Sequence, residues 1–440
     1  MQGWIMIALL GGALLVGSPA ALAQRDDPDA LKKQVEQLQQ RVDELEKQGK
    51  QRDALLDTVV TKGVFPGAFK LPGTEISMKL GGFVKLNLIH DFDPIENDGF
   101  ENLFATAAIP VEGTPEAEGG GRTSMDARET RFNLTARSPT PWKDLKVFIE
   151  GDFAGSGNSF RLRHAYGEVG HFLGGQTNST FMDGSAQPAT VDFEGPGAMV
   201  FARHPLVRWT QPLSPGLTWA IAIEESETTI TDPFTIQSPG GMRVPSEGEV
   251  QNLYPDLATH FRYAASFGHL QIAGLLRDLR FDEAGSSPDD SVTGWGLNFT
   301  GLISTFGLDA FMFQVAYGKG IGVYIEDLAF ESQGQGNDAA PSATGNLEAI
   351  PALGAFVAYQ HWWTENLRSV ATYGVVDVDN TDGQANNAYK RTQYTSINLI
   401  WSPFRLISTG VEFLYGKREN NDGAEGDARR LQFAVTYYLN

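Results

Sequence analysis

Arg131-Phe-Asn-Leu-Thr-Ala-Arg137, then Lys146-Val-Phe-Ile-Glu-Gly-Asp-Phe153, then Phe160-Arg-Leu-Arg163 is the stretch on which the fold turns. Successive side chains of a β-strand point to opposite faces. In the first run Arg131, Asn133, Thr135 and Arg137 share one face, and Phe132, Leu134 and Ala136 the other. In the second, Lys146, Glu150 and Asp152 oppose Val147, Ile149 and Phe153. The third repeats the pattern with Arg161 and Arg163. A soluble sheet can carry one such strand. Sustained to the end of a chain, the alternation describes a wall with lipid on one side and water on the other. The expectation is an all-β transmembrane antiparallel β-barrel of an outer membrane, with these arginines in its lumen.

Working outward, strand-like runs continue at Leu217–Glu224, Leu257–Ser266, His269–Leu279, Val292–Ile303, Leu308–Tyr317, Ala355–Trp363, Leu367–Val376, Thr392–Trp401, Leu406–Tyr415 and Leu431–Leu439. Short connections such as Ser266-Phe-Gly268 and Ser402-Pro-Phe404 alternate with long acidic ones, an asymmetry typical of outer-membrane barrels. The length available from Glu75 to the end suits about 16 strands. The last run ends Tyr437-Tyr438-Leu439-Asn440, where such barrels commonly close on an aromatic. Upstream, Gly81-Gly82 marks a bend in a long first strand, Ile76–Phe92.

Before the barrel, residues 1–23 read as a secretory signal. An apolar run from Ile5 to Val16 is broken by Ser18-Pro19, and Ala21-Leu22-Ala23 forms an A-x-A cleavage site. The alternative is a membrane-anchoring helix, for which the run is short. In residues 24–62, Leu31, Val35, Leu38, Val42 and Leu45 fall on a heptad with Val at a and Leu at d, a short periplasmic coiled coil that fades after Gly49. About two heptads do not hold together alone, so a larger assembled body must bring the helices close. Residues 63–74 are a Gly/Pro linker, and 75–440 the barrel.

Composition agrees. The formal net charge of -20 argues against a nucleic-acid partner. The absence of Cys excludes disulfides and thiolate metal sites. No HExxH, no H-x-x-x-H pair and no G-x-S-x-G elbow occurs, so neither an enzyme nor a cofactor is expected. The Asn-Asp-Gly triplets at 97–99 and 421–423 lack the spacing of a calcium loop.

The candidate functional residues are therefore pore-lining. Arg131, Arg137, Arg161 and Arg163 lie on one face of successive strands, joined by Arg128 and Arg208, with Glu150 and Asp152 facing the same lumen. Guanidinium groups in a narrow aqueous path between low-dielectric walls favour anions, and their planar fork suits carboxylate or phosphate. Arginines set against carboxylates would orient and filter a passing solute. The competing reading is that they merely pair with Glu150, Asp152 and Glu168 to hold the wall. From Gly174 to Pro196 the chain turns polar and glycine-rich. This segment reads as an inward constriction, carried by Gln176, Asn178 and Asp183, or else as an external loop.

Phe160-Arg-Leu-Arg-His-Ala-Tyr166, Gly174-Gly-Gln-Thr-Asn-Ser-Thr-Phe-Met-Asp183 and Val191-Asp-Phe-Glu-Gly-Pro196 resemble the DcaP-type porins of Gram-negative outer membranes. So do Lys79-Leu-Gly-Gly-Phe-Val-Lys-Leu86, Thr130-Arg-Phe-Asn-Leu134 and Gly318-Lys-Gly-Ile-Gly322, and the layout matches throughout. The resemblance implies a homotrimer of sixteen-stranded barrels passing small, preferably anionic solutes, dicarboxylates among them. The matching arginines are Arg131, Arg161 and Arg163. Lipid bilayer and lipopolysaccharide would surround it. A phosphate-selective porin would want a denser basic ladder, since the strands after Leu257 carry only scattered Lys and Arg. An adhesin or envelope tether acting through the coiled coil, and an outer-membrane lipase, are the alternatives from other classes; the lipase lacks its motif.

Overall fold

The computed structural model describes residues 28–56, 61–96, 103–231, 249–282, 290–329, 338–342 and 346–439. The signal segment 1–23 and the terminal Asn440 lie outside the described residues. Two compact units are formed, residues 1–62 with 70–75, and residues 63–69 with 76–440. In the first, helix α1 spans Pro28–Leu56. Its heptad seam, Val35, Leu38, Val42 and Leu45, is exposed.

The second unit is a closed antiparallel barrel of 16 strands. In chain order they are β1 Ser77–Asp91, β2 in two pieces (Arg122–Asp126 and Arg131–Ser138), β3 Leu145–Asp152, β4 Arg161–Val169, β5 Phe172–Asn178, β6 Arg203–Ser214, β7 Leu217–Glu224 and β8 Asp256–Ala265. Then follow β9 Gly268–Asp282, β10 Asp290–Ser304, β11 Ala310–Lys319, β12 Pro351–Thr364, β13 Leu367–Val378, β14 Tyr389–Phe404, β15 Ile407–Asn420 and β16 Glu425–Tyr438. The barrel closes where β16 pairs with β1, Phe433 opposite Leu88 and Arg430 opposite Asp91. The bend foreseen at Gly81-Gly82 is present. Gly82 has φ +127°, and a β-carbon there would collide with the Arg131 carbonyl, so only glycine lets β1 and β2 approach this closely.

Alternation sorts the wall as lipid and lumen require. In β15, Val411, Phe413 and Tyr415 are exposed while Glu412 and Leu414 between them are buried. The lumen is not simply wet, however. Residues 92–121, 179–202 and 320–350 are long connections from one end of the barrel, and their described parts fold inward and build a core there. Phe181, Val200, Tyr324 and Ile325 pack with Phe356 and Val376 of the wall. Phe104 and Ile109 pack on Tyr394 and Leu414. Fully burying one such side chain stabilises by about 1.5–3 kcal/mol.

One expectation needs correction. The irregular segment does not begin at Gly174, because Phe172–Asn178 is a wall strand paired on both sides, Gly174 with Gly167 of β4 and with Val207 of β6. Glycine content alone does not break a strand whose two neighbours supply its ladder. The chain leaves the wall at Ser179.

Candidate functional site

The 179–202 loop, third of the connections at that end of the barrel when the short 153–160 turn is counted, is pinned across the lumen. On one side, Arg262 Nη1 and Thr300 Oγ1 donate to the Asp183 carboxylate at 2.8 Å each, and His269 Nε2 lies 2.8 Å from it. Asn298 donates to the Phe181 carbonyl at 2.9 Å. On the other side, the backbone N–H groups of Val191 and Asp192 donate to Glu412 at 2.6 and 2.8 Å. Lys85 Nζ donates to the Val191 carbonyl at 2.7 Å. The loop thus connects β8–β10 with β15 and β1.

The 320–350 loop, sixth of the connections at that end, lies against it. Phe201 N–H donates to the Tyr324 carbonyl, Glu326 N–H to Met199 and Asp327 N–H to Gly197, each at 2.9 Å. The Asp327 carboxylate accepts bonds from Thr106 Oγ1 and Ala107 N–H of the first loop at 2.8 Å, and from Tyr389 and Thr392 of β14 at 2.9 and 2.5 Å. One buried carboxylate therefore ties two loops, its own and the 92–121 connection, to the wall.

Between loops and wall is a cavity of about 500 Å³. Its wall side carries Arg131 from β2, Arg161 and Arg163 from β4, and Arg203 from the start of β6. Its loop side carries Asp192, Phe193 and Glu194 of the third loop and Glu326 of the sixth. The wall arginines are held by two carboxylates on β3. Asp152, with no exposed side-chain surface, is 2.9 Å from Arg161 Nη2 and 2.8 Å from Arg163 Nη1. Glu150 is 3.4 Å from both Arg131 Nη1 and Arg163 Nε. A register shift in the β3–β4 ladder between Glu150 and Gly151 leaves Arg163 as the extra residue, and such bulges re-aim side chains.

Glu150 and Asp152 thus lie beside the arginines on the same wall and pair with them, rather than facing them across the lumen. Cross-strand pairing requires this: Asp152 is opposite Arg131 on one side and Arg161 on the other. The carboxylates on the loop side are Glu194, Glu326 and Asp192.

The remaining sequence candidates are dispersed. Arg128 sits in the break of β2 and donates to Asp126 from Nε at 2.5 Å. Arg137, near the opposite end of β2, lies over the Phe65 ring, 5.1 Å from its centroid. Arg208 is in the wall, with Nη1 3.5 Å from the Asn178 carbonyl that accepts its bond. Neither Gln176 nor Asn178 is part of the inward loop. Gln176 pairs with outward-facing Ala165, while its neighbour Thr177 meets the lumen residue His164 at 3.0 Å. Asn178 is the last residue of β5. Asp183 is in the inward loop but anchors it.

Sequence reading missed Arg203. Counting back by twos from Arg208 gives Leu206 and His204, so Arg203 is out of phase and enters the lumen only because the chain leaves the loop there. Its guanidinium lies over Phe201, 4.8 Å from the ring centroid, and Nη1 has no hydrogen-bond partner. Among the described residues no carboxylate forms an ion pair with it.

Electrostatics on the loop side follows from burial. Glu194 is pushed well above the usual carboxylate range by desolvation, and further by Glu326, Asp327 and Asp192. Glu326 is likewise raised by desolvation, with Arg203 opposing. Desolvation and the neighbouring carboxylates thus both favour the protonated form of these groups.

A model of the DcaP outer membrane protein family matches residues 16–229 and 351–439. Among solved structures, the outer membrane channel DcaP of Acinetobacter baumannii superposes with a TM-score of 0.71 at 23% identity, covering 86% of this chain and 100% of that one. An anion-selective porin from Comamonas acidovorans gives 0.51 at 10% identity, covering 83% and 100%. A Salmonella typhi OmpF complex gives 0.50 at 11%, covering 83% and 98%. These likenesses are of fold. No curated protein matches in sequence. The fold and family are those of porins and not of enzymes. The family pattern, matched over most of the chain, and the closed barrel with its inward loops lead to one assignment: the chain belongs to the DcaP outer membrane protein family, porins of the outer membrane.

Proposed function

We propose that this porin is a passive diffusion channel for small hydrophilic solutes with a preference for anions, small mono- and dicarboxylates among them. The observation that carries the reading is the charge balance of the cavity wall. Asp152 and Glu150 bind Arg131, Arg161 and Arg163, so three guanidinium groups meet two carboxylates. Arg203 adds another cation without a carboxylate partner among the described residues. An excess of fixed positive charge at a constriction lowers the energy of a passing anion.

The working assembly is a homotrimer in the lipopolysaccharide-bearing outer membrane. The exposed Val/Leu seam of α1 supports it, since two heptads need an assembled body to hold them together. The chain enters β1 and leaves β16 at the barrel end with the short connections, which in outer-membrane barrels faces the periplasm. That direction of entry favours a periplasmic α1.

Liposome swelling tests the reading. Proteoliposomes should swell faster in an anionic solute than in a cationic one of matched size; equal rates, or faster cation entry, would overturn it. Arg203→Gln strands no carboxylate and should narrow the difference about fivefold or more, the Coulomb effect of one charge about 5 Å from the path being about 1–3 kcal/mol.

pH gives an independent check. The Glu194 and Glu326 pKa values are raised, so both groups are neutral at low pH and ionise as pH climbs through a range above that of an ordinary carboxylate. Facing them are Arg203 and Arg163 from β6 and β4, Arg430 from β16, and Asp192 and Asp327 from the loops. Ionisation adds negative charge on the loop side. Anion preference should therefore be larger at pH 5 than at pH 8, and Glu194→Gln should flatten the profile. A profile flat in the wild type would show the pair has no part in filtering.

A further inference from the structure

Both sides of the cavity carry unmatched hydrogen-bonding capacity of opposite sign. On the wall side, Arg203 Nη1 and Arg131 Nε are buried donors without acceptors. On the loop side, both carboxyl oxygens of Glu194 and Oε2 of Glu326 are buried acceptors without donors, outnumbering one unmatched donor there, Gln187 Nε2. Glu194 is 4% exposed. Buried polar groups normally have partners, and leaving one unmet costs about 1–3 kcal/mol, more for a charged group. Arg203 and Glu326 lie near enough to influence each other electrostatically, yet form no ion pair. The wall ladder and the hydrogen bonds of the loops fix each where it is. A single ligand could satisfy both sides at once.

We propose that this cavity is a recognition site for small zwitterions bearing both a carboxylate and an ammonium group, the class of the α-amino acids. The carboxylate would accept from Arg203 and Arg131, whose donors suit its two oxygens. The ammonium, with three donors and no acceptor, would meet Glu194 and Glu326. Phe193 and Phe201 line the same cavity and offer apolar surface for the side chain. A simple anion satisfies only the wall side, and a simple amine only the loop side. The inference rests on the channel reading above, but requires more: loop-side carboxylates that act as acceptors for a solute.

The test uses the full-length assembled porin in planar bilayers at neutral pH. L-Norvaline, valerate and butylamine are added separately, and the concentration that halves the potassium chloride conductance is read. Norvaline should act at about tenfold lower concentration than either partial analogue, tenfold being 1.4 kcal/mol. In Glu194→Gln, norvaline and valerate should act at concentrations within about twofold of each other. In Arg203→Gln, both should weaken. Glu326→Gln is the companion variant should Glu194→Gln fail to fold, and it should show the same loss of discrimination. Norvaline and valerate acting alike in the wild type, or discrimination persisting in the glutamate variants, overturns the zwitterion site. The reversal potential recorded in the same membranes reports separately on anion preference, so failure of the site and failure of the channel reading are told apart.

Discussion

Replacing both Arg161 and Arg163 with glutamine should abolish the proposed anion preference. The wall at β2–β4 then loses two positive charges and keeps Glu150 and Asp152, with Arg131 as the cation remaining beside them. Each unit charge about 5 Å from a permeating ion, at an effective dielectric of 20–80, changes its energy by about 1–3 kcal/mol. Two such changes shift the anion-to-cation ratio by about tenfold or more. The same variant should also be less stable. The Asp152 side chain has no exposed surface and accepts from Arg161 Nε at 3.1 Å, Arg161 Nη2 at 2.9 Å and Arg163 Nη1 at 2.8 Å. Stranding a buried carboxylate costs about 3–5 kcal/mol. Adding Asp152→Asn should recover that stability, read from urea unfolding in detergent micelles. It should restore anion preference only in part, since the arginines stay absent. An unchanged ion preference in the double variant would mean that these arginines serve the wall alone.

Arg277→Met is expected to have the largest effect on structure. The Arg277 side chain is fully buried in β9, with Asp256 and Asp338 both 2.9 Å away and the Gly320 carbonyl accepting at 2.7 Å. It also donates to the Glu227 carbonyl, while Tyr324 donates to Asp256 at 2.8 Å. This one guanidinium binds the sixth loop and the segment after β7 to the wall. Its removal leaves two buried carboxylates without a cation, a loss of about 3–5 kcal/mol, and frees the loop that presents Glu326. Limited proteolysis should then cut within 320–329 and 338–342 faster than in the wild type, and conductance should rise as the lumen widens. Protection equal to wild type would show that the hydrophobic contacts of Tyr324 and Ile325 suffice to hold the loop.

The fold was legible because one physical signal, period-two alternation, is imposed on every strand by lipid outside and water inside. Phe132 against Arg131, or Phe413 against Glu412, shows it locally, and the alternation of short and long connections shows it globally. The site was legible only in part. Arg131, Arg161 and Arg163 follow from alternation and do come together at one cavity. Arg203 does not, because it stands where strand phase gives way to loop geometry. Glu194 and Glu326 were hidden for a related reason. An acidic residue in a long loop reads as solvated, and nothing local reveals that the loop is drawn inside by Glu412, Asp183 and Asp327, partners more than 70 residues away in most cases. Gln176 was misjudged because glycine-rich composition suggested a loop, whereas pairing with β4 and β6 kept it in the wall with its side chain outward.

The central claim is that excess arginine charge at the cavity makes this porin select for anions. The reversal potential of the wild-type channel in a potassium chloride gradient at neutral pH tests it most directly. The account predicts a potential of the sign that marks chloride as the more permeant ion, moving toward the potassium side in Arg161→Gln/Arg163→Gln. A wild-type potential already on the potassium side would contradict it.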